Sequence, residues 1–100
     1  MMKRSVRVLR RAQNDLIEIH NYVRRDRPNA ADRLIEKLLD TIESLEQLAD
    51  RGVVPRDERL SNLGYRVLIE GDYLVFYKNL PTQVRVYRVV PGRRRYRHLL

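Results

Sequence analysis

The sequence predicts a small α+β domain: an N-terminal strand, a helical hairpin and a three-stranded antiparallel meander, in the order β-α-α-β-β-β, with a short C-terminal helical turn. Three observations predict it. Apolar residues recur at helical spacing from Ala12 to Ala49, aromatic and β-branched runs replace them after Gly64, and Gly71-Asp72 separates two of those runs. One hundred residues with 43% hydrophobic content fit one domain, residues 1–100, with a core of modest size.

The opening Ser5-Val6-Arg7-Val8-Leu9 is β-branched and partly alternating, as befits a strand at the margin of a sheet. From Ala12 the period changes. Leu16, Ile19, His20 and Val23 form one helical stripe running to about residue 25, with Asp15 and Glu18 near its positive N-terminal end. Asp26-Arg27-Pro28-Asn29 stops this helix, because Pro28 disfavours helical geometry at Arg27 and itself suits the first turn of a second helix. In that second helix Ala31, Leu34, Ile35, Leu38, Leu39, Ile42, Leu45, Leu48 and Ala49 share a broad stripe opposite Asp32, Glu36, Lys37, Asp40, Glu43 and Glu46, and Gly52 is expected to cap its C-terminus.

Residues 53–63, VVPRDERLSNL, predict a surface loop with at most a turn of helix. Residues 65–70 and 73–78 then form a hairpin through Gly71-Asp72, Pro81 marks the next turn, and residues 84–90 make a third strand that Pro91-Gly92 breaks. The last eight residues, RRRYRHLL, are expected to form the helical turn. Both helices should cover one face of a mostly antiparallel sheet and leave the other partly open.

Charge is uneven. The first fifty residues hold 10 Lys+Arg and 9 Asp+Glu, the second fifty 11 and 4, and no acidic side chain follows Asp72. With a net charge of +8 and 18 Arg to 3 Lys, one end of the fold must be strongly positive and rich in planar forks for carboxylate or phosphate. The run Arg93-Arg94-Arg95-Tyr96-Arg97-His98 admits three readings: a solvated tail, a surface for an acidic protein partner, or a nucleic-acid contact. Arg66 and Arg88 lie within strands otherwise rich in Val, Leu and Tyr, where a charge must reach the open face or find a partner.

Zero cysteines exclude disulfides, thiolate nucleophiles and Cys-based zinc sites, and suit a reducing cytosol. No apolar run approaches the ~18 residues of a membrane span, and MMKRSVRVLRRA lacks a signal-peptide core, so a cytoplasmic protein without membrane contact is expected. No serine has a Gly-x-Ser-x-Gly setting, no Gly-rich loop cradles phosphate, and His20 and His98 assemble no metal cluster; no metal or cofactor is expected. The remaining enzymatic class is metal-free cleavage of RNA on Arg66, Arg88, Arg94 and Tyr96, which lacks a good base because Arg stays protonated.

Ala12-x-x-Asp15-Leu16-x-x-Ile19-x-x-Tyr22, Pro28-x-Ala30-Ala31, Gly64-Tyr65-Arg66, Gly71-Asp72-Tyr73-Leu74-Val75-Phe76-Tyr77 and Val86-x-x-Val89-Val90-x-Gly92-Arg93-Arg94 stand in this order along nearly the whole chain. In that arrangement the chain resembles the RelE/ParE toxins of bacterial toxin-antitoxin modules. The resemblance implies a cognate antitoxin, ParD-like or related, a small DNA-binding protein whose acidic or amphipathic C-terminal segment wraps the toxin. It places that antitoxin along the helical hairpin and sheet edge, at Leu16, Ile19, Leu38, Tyr73 and Arg66. RelE-like members cut mRNA in the ribosome, and for that branch the resemblance marks Arg66, Arg94 and Tyr96 as catalytic. Leu68 and Tyr73 stand where such nucleases carry Lys and Arg. The Gly-Asp-Tyr-Leu-Val-Phe-Tyr strand and the Gly-Arg-Arg look more like ParE, whose members poison DNA gyrase without catalysis of their own, although Pro91 and Arg95 depart from the His and Asp often found there. On the ParE reading the target-binding residues are Arg88, Arg93, Arg94 and Arg95.

Overall fold

The computed structural model describes residues 4–92 and 99–100. The helical turn expected in the last eight residues falls largely on residues outside that set. A first strand, β1 (Ser5–Val8), leads into α1 (Arg10–Arg24) and α2 (Pro28–Glu43), with Pro28 in the first turn of α2 as its missing N–H and fixed φ require. A 3-10 turn, Ser44–Glu46, and a short helix, α3 (Glu58–Asn62), lead to the strands β2 (Tyr65–Glu70), β3 (Tyr73–Asn79) and β4 (Gln83–Pro91). The class, the element order and the meander agree with the sequence reading.

The sheet order is β1-β4-β3-β2, antiparallel throughout the meander and parallel between β1 and β4. Gly71 adopts φ +57°, the conformation that the tight β2–β3 connection demands. Between β3 and β4 the register slips: Tyr77 pairs with Val86 but Phe76 with Arg88, so Tyr87 is the extra residue of a bulge.

Both helices cover one face of the sheet. There Leu16 and Ile19 of α1 and Leu38 and Ile42 of α2 pack against Leu68, Val75, Tyr77, Val84, Val86 and Val89. Among the described residues, Leu60 of α3 and Leu99 and Leu100 pack on the opposite face, against Tyr65, Val67, Phe76 and Val90. Asp57 caps α3 by accepting from the Leu60 N–H at 3.0 Å, and Gly64, at φ +88°, follows its end.

The end of α2 and the role of Gly52 differ from expectation. The apolar stripe continues past Glu43, yet the α-helix stops there: the Ser44 hydroxyl donates to the Thr41 carbonyl and the chain tightens into the 3-10 turn, which still buries Leu45 completely. Gly52 is no helix cap. Its N–H donates to the Tyr77 hydroxyl at 2.9 Å, that hydroxyl donates to the Ala49 carbonyl at 2.8 Å, and Val53 bridges to Val67 beside them. A Cβ on Gly52 would stand 2.6 Å from the Tyr77 oxygen and 2.9 Å from the Val67 carbonyl, so glycine is required by close approach to β2 and β3.

Gly52→Ala therefore lowers stability by about 1–3 kcal/mol, as overpacking of a tight contact does. Tyr77→Phe, which strips the Gly52 N–H and the Ala49 carbonyl of their partner, costs about as much. Urea unfolding midpoints of the two variants check both values.

Candidate functional site

Two grooves flank α1. On the flank toward α2, Val8, Leu16, Ile17, Ile35 and Leu39 line an apolar groove of about 510 Å³. Ile17 is 58% and Leu39 45% exposed, so the groove presents apolar surface to solvent. His20 stands at its lip, where Nε2 meets Asp32 Oδ1 at 2.8 Å and ties α1 to α2. On the other flank, Glu18, Ile19, Tyr22, Tyr73 and Val89 line a second groove of about 480 Å³ between α1 and the ends of β3 and β4. Tyr22 is 72% exposed there. The Tyr73 phenol is pushed above the ordinary tyrosine value, chiefly by burial, then by the charge of Asp72 and by Tyr22.

The wall of the second groove is fixed by an ion pair. Asp15 Oδ2 accepts from Arg88 Nε at 2.7 Å and Oδ1 from Arg88 Nη2 at 3.0 Å, with both side chains almost wholly buried. Asp15 Oδ2 also accepts the Val89 N–H at 2.9 Å. β1 ends where Val8 meets Val86, so beyond that point no strand among the described residues lies beside the outer edge of β4, and the carboxylate of α1 takes up the Val89 donor. The remaining Arg88 donor, Nη1, reaches the Leu99 carbonyl at 3.1 Å.

This geometry corrects two expectations. Arg88, 5% exposed, has its guanidinium engaged by Asp15 and Leu99, so it presents no surface to a target; of the two options open to a charge within a strand, it has found a partner. Leu38 is completely buried in the core and offers nothing to an antitoxin. Leu16 and Ile19, at 8% and 7% exposure, show only their edges to the two grooves, and Tyr73 joins Ile19 in the second. Arg66 is not part of either groove: its Nη2 donates to the carbonyls of Gly52 at 2.8 Å and Asp50 at 3.1 Å, steadying the segment after α2. Arg93, Arg94, Arg95 and Tyr96 lie outside the described residues.

Sequence reasoning missed Asp15 as a structural anion and Ile17 and Tyr22 as exposed apolar side chains, and it counted Leu39 with the core stripe of α2, whereas Leu39 is half exposed at the groove. A signal existed for the first: Asp15 shares the buried stripe of Ala12, Leu16 and Ile19, where an unpaired charge is untenable. Among the described residues no cluster of His, Cys, Asp and Glu stands close enough to hold a metal ion, and no helix is long and apolar enough to cross a membrane.

With the geometry in hand, the chain matches over residues 6–96 a family described as the ParE toxin of the type II toxin-antitoxin system parDE. Its fold is similar to that of a solved chromosomal ParDE toxin-antitoxin system from P. aeruginosa, at a TM-score of 0.75 and 19% identity, covering 91% of this chain and 98% of that one. It is also similar to a chain of the RelBE2 toxin-antitoxin complex from Mycobacterium tuberculosis, at a TM-score of 0.63 and 22% identity, covering 91% and 93%. No curated protein sequence matches the chain.

Asp15→Ala leaves a buried guanidinium uncompensated and costs about 3–5 kcal/mol, whereas the double variant Asp15→Leu with Arg88→Met recovers most of that loss; a double-mutant cycle of chemical unfolding measures both. Because folding raises the Tyr73 pKa, its contribution to stability is complete below the unfolded value of about 10 and is lost as pH climbs through the folded one. Tyr73→Phe accordingly flattens the alkaline fall of the unfolding midpoint above about pH 10.

Proposed function

The chain belongs to the ParE toxin family of type II toxin-antitoxin systems, and from that premise we propose that it arrests growth in the cytoplasm by binding DNA gyrase. It has no chemistry of its own, and a ParD-like antitoxin holds it in check. The observation that carries the choice of target is the state of the positions a ribosome-dependent nuclease would use. Leu68 is packed into the helix-side core at 5% exposure, Tyr73 is a phenol held neutral in the second groove, and Arg66 is engaged by backbone carbonyls. None of these supplies a base for a 2′-OH, which supports a toxin that works by binding.

The two grooves support the antitoxin reading. An amphipathic segment with apolar residues at helical spacing fits the first, over Ile17 and Leu39, and continues past the edge of α1 to Ile19, Tyr22 and Tyr73. The net charge of +8 steers an acidic segment toward this chain. Arg93 and Arg94 remain assigned to the target by their place in the family motif, and Arg95 by its charge beside them.

Two measurements test the reading. In a supercoiling assay with purified gyrase, the protein is expected to inhibit and to accumulate cleaved DNA; intact supercoiling together with mRNA cut in translating ribosomes would transfer it to the RelE-like nucleases. The double variant Ile17→Asp with Leu39→Asp should weaken antitoxin binding by at least about 30-fold, two anchors of roughly 1–2 kcal/mol each being lost, while leaving gyrase inhibition unchanged. Calorimetric titration with the cognate antitoxin reads the first effect.

A further inference from the structure

The sheet face turned away from α1 and α2 carries a row of cations. Arg7 of β1 pairs in register with Arg85 of β4, Arg85 with Lys78 of β3, and Lys78 with Tyr65 of β2. Paired residues point to the same side of a sheet, and alternation fixes which side. Val84 and Val86, on either side of Arg85, belong to the helix-side core, as do Val6 and Val8 on either side of Arg7, so the cations lie on the far face with Tyr65. Neighbouring strands stand about 4.8 Å apart, so three like charges are spread over roughly 10 Å of one straight row.

Such a row weakens the fold, since like charges directly opposite one another repel. Among the described residues no carboxylate pairs with any of the three. Lys78 is partly compensated, its ammonium lying 4.6 Å from the Tyr65 ring centre and 5.1 Å from that of Tyr87. Arg7, which is exposed, and Arg85, which is half-buried, have no compensation of that kind.

We propose that the Arg7–Arg85–Lys78 row binds the phosphodiester backbone of duplex DNA. A polyanion supplies the missing counter-charge, and guanidinium forks donate to phosphate oxygens in pairs. An acidic peptide fits the row less well, because a segment ordering on binding needs apolar surface to bury, and the apolar grooves described above lie at α1 on the other side of the sheet. A single strand also fits less well. Its binders stack bases on free aromatic faces, whereas Tyr65 and Tyr87 meet edge to face at 5.2 Å and both rings are covered by Lys78. Duplex DNA, with the higher charge density and recognition by backbone contact alone, matches the row. The inference does not rest on the gyrase reading, because it concerns the isolated protein.

The test is fluorescence anisotropy of a labelled 20-base-pair DNA duplex titrated with the full chain at several salt concentrations. Arg7→Gln with Arg85→Gln should make the slope of log affinity against log salt shallower by about 1.8, two phosphate contacts at ~0.9 each, and Arg7→Gln alone by about half that. Arg24→Gln with Arg25→Gln, at the far end of α1, lowers the net charge equally and should leave the slope close to that of the unchanged protein. Arginines 93–95 and 97 are common to all variants and cancel in the comparison. The proposal is overturned if the α1 variant shifts the slope as much as the sheet variants, if Arg7→Gln with native unfolding behaviour shifts nothing, or if single-stranded DNA or poly-glutamate of equal charge binds more tightly than the duplex. None of those outcomes touches the supercoiling assay, so failure here is distinct from failure of the gyrase reading.

Discussion

The fold is organised around one unfinished edge. β1 is four residues long and pairs with β4 only as far as Val86, so among the described residues the rest of β4 has no strand on its outer side. Asp15 resolves this by accepting the Val89 N–H and, with its other lone pairs, the Arg88 guanidinium. One carboxylate thus substitutes for a missing strand, docks α1 against the sheet and neutralises a buried cation. The bulge at Tyr87 sits beside it and resets the register so that Arg88 stands next to Val89 at this edge. A buried ion pair contributes little net stability compared with a well-packed apolar pair, but it penalises every arrangement in which its partners are apart. Its value here lies in specifying where α1 sits, and α1 is the element that both grooves share.

Much of the architecture was legible because local signals agreed with the global fold. Gly71-Asp72 between two aromatic runs could only be a tight hairpin, and Pro28 could only begin a helix. The end of α2 was misjudged because a 3-10 turn keeps Leu45 inward much as a further helical turn would, so periodicity does not distinguish them. Gly52 looked like a cap by position, while its actual constraint is the approach of a tyrosine twenty-five residues later in sequence. That kind of requirement is tertiary, and no window of sequence contains it. The Asp15–Arg88 pair, spanning 73 residues, belongs to the same category, although each member was conspicuous alone as a charge among apolar neighbours.

The site was legible in outline and blurred in detail. Leu16, Ile19 and Tyr73 line the grooves beside α1, and the residues that project there are Ile17, Leu39 and Tyr22. Periodicity finds the centre of an apolar stripe, which is the part the protein covers itself. A partner meets the stripe's margins, where the same residue types are left half in water. Arg66 shows the converse: a strand cation that reads as functional and holds two carbonyls in place.

The parallel pairing of β1 with β4 also orders events in time. The first strand to leave the ribosome finds its neighbour only when the last strand has been made, and the anchor on α1 meets its arginine at the same moment. Contacts of this sequence separation close slowly and late. Until β4 emerges, the helical hairpin can be backed only by the β2–β3 hairpin, and the apolar residues that β4 covers are as open to an early-binding partner as to their own strand. Synthesis of β4 and closure of the four-stranded sheet therefore coincide.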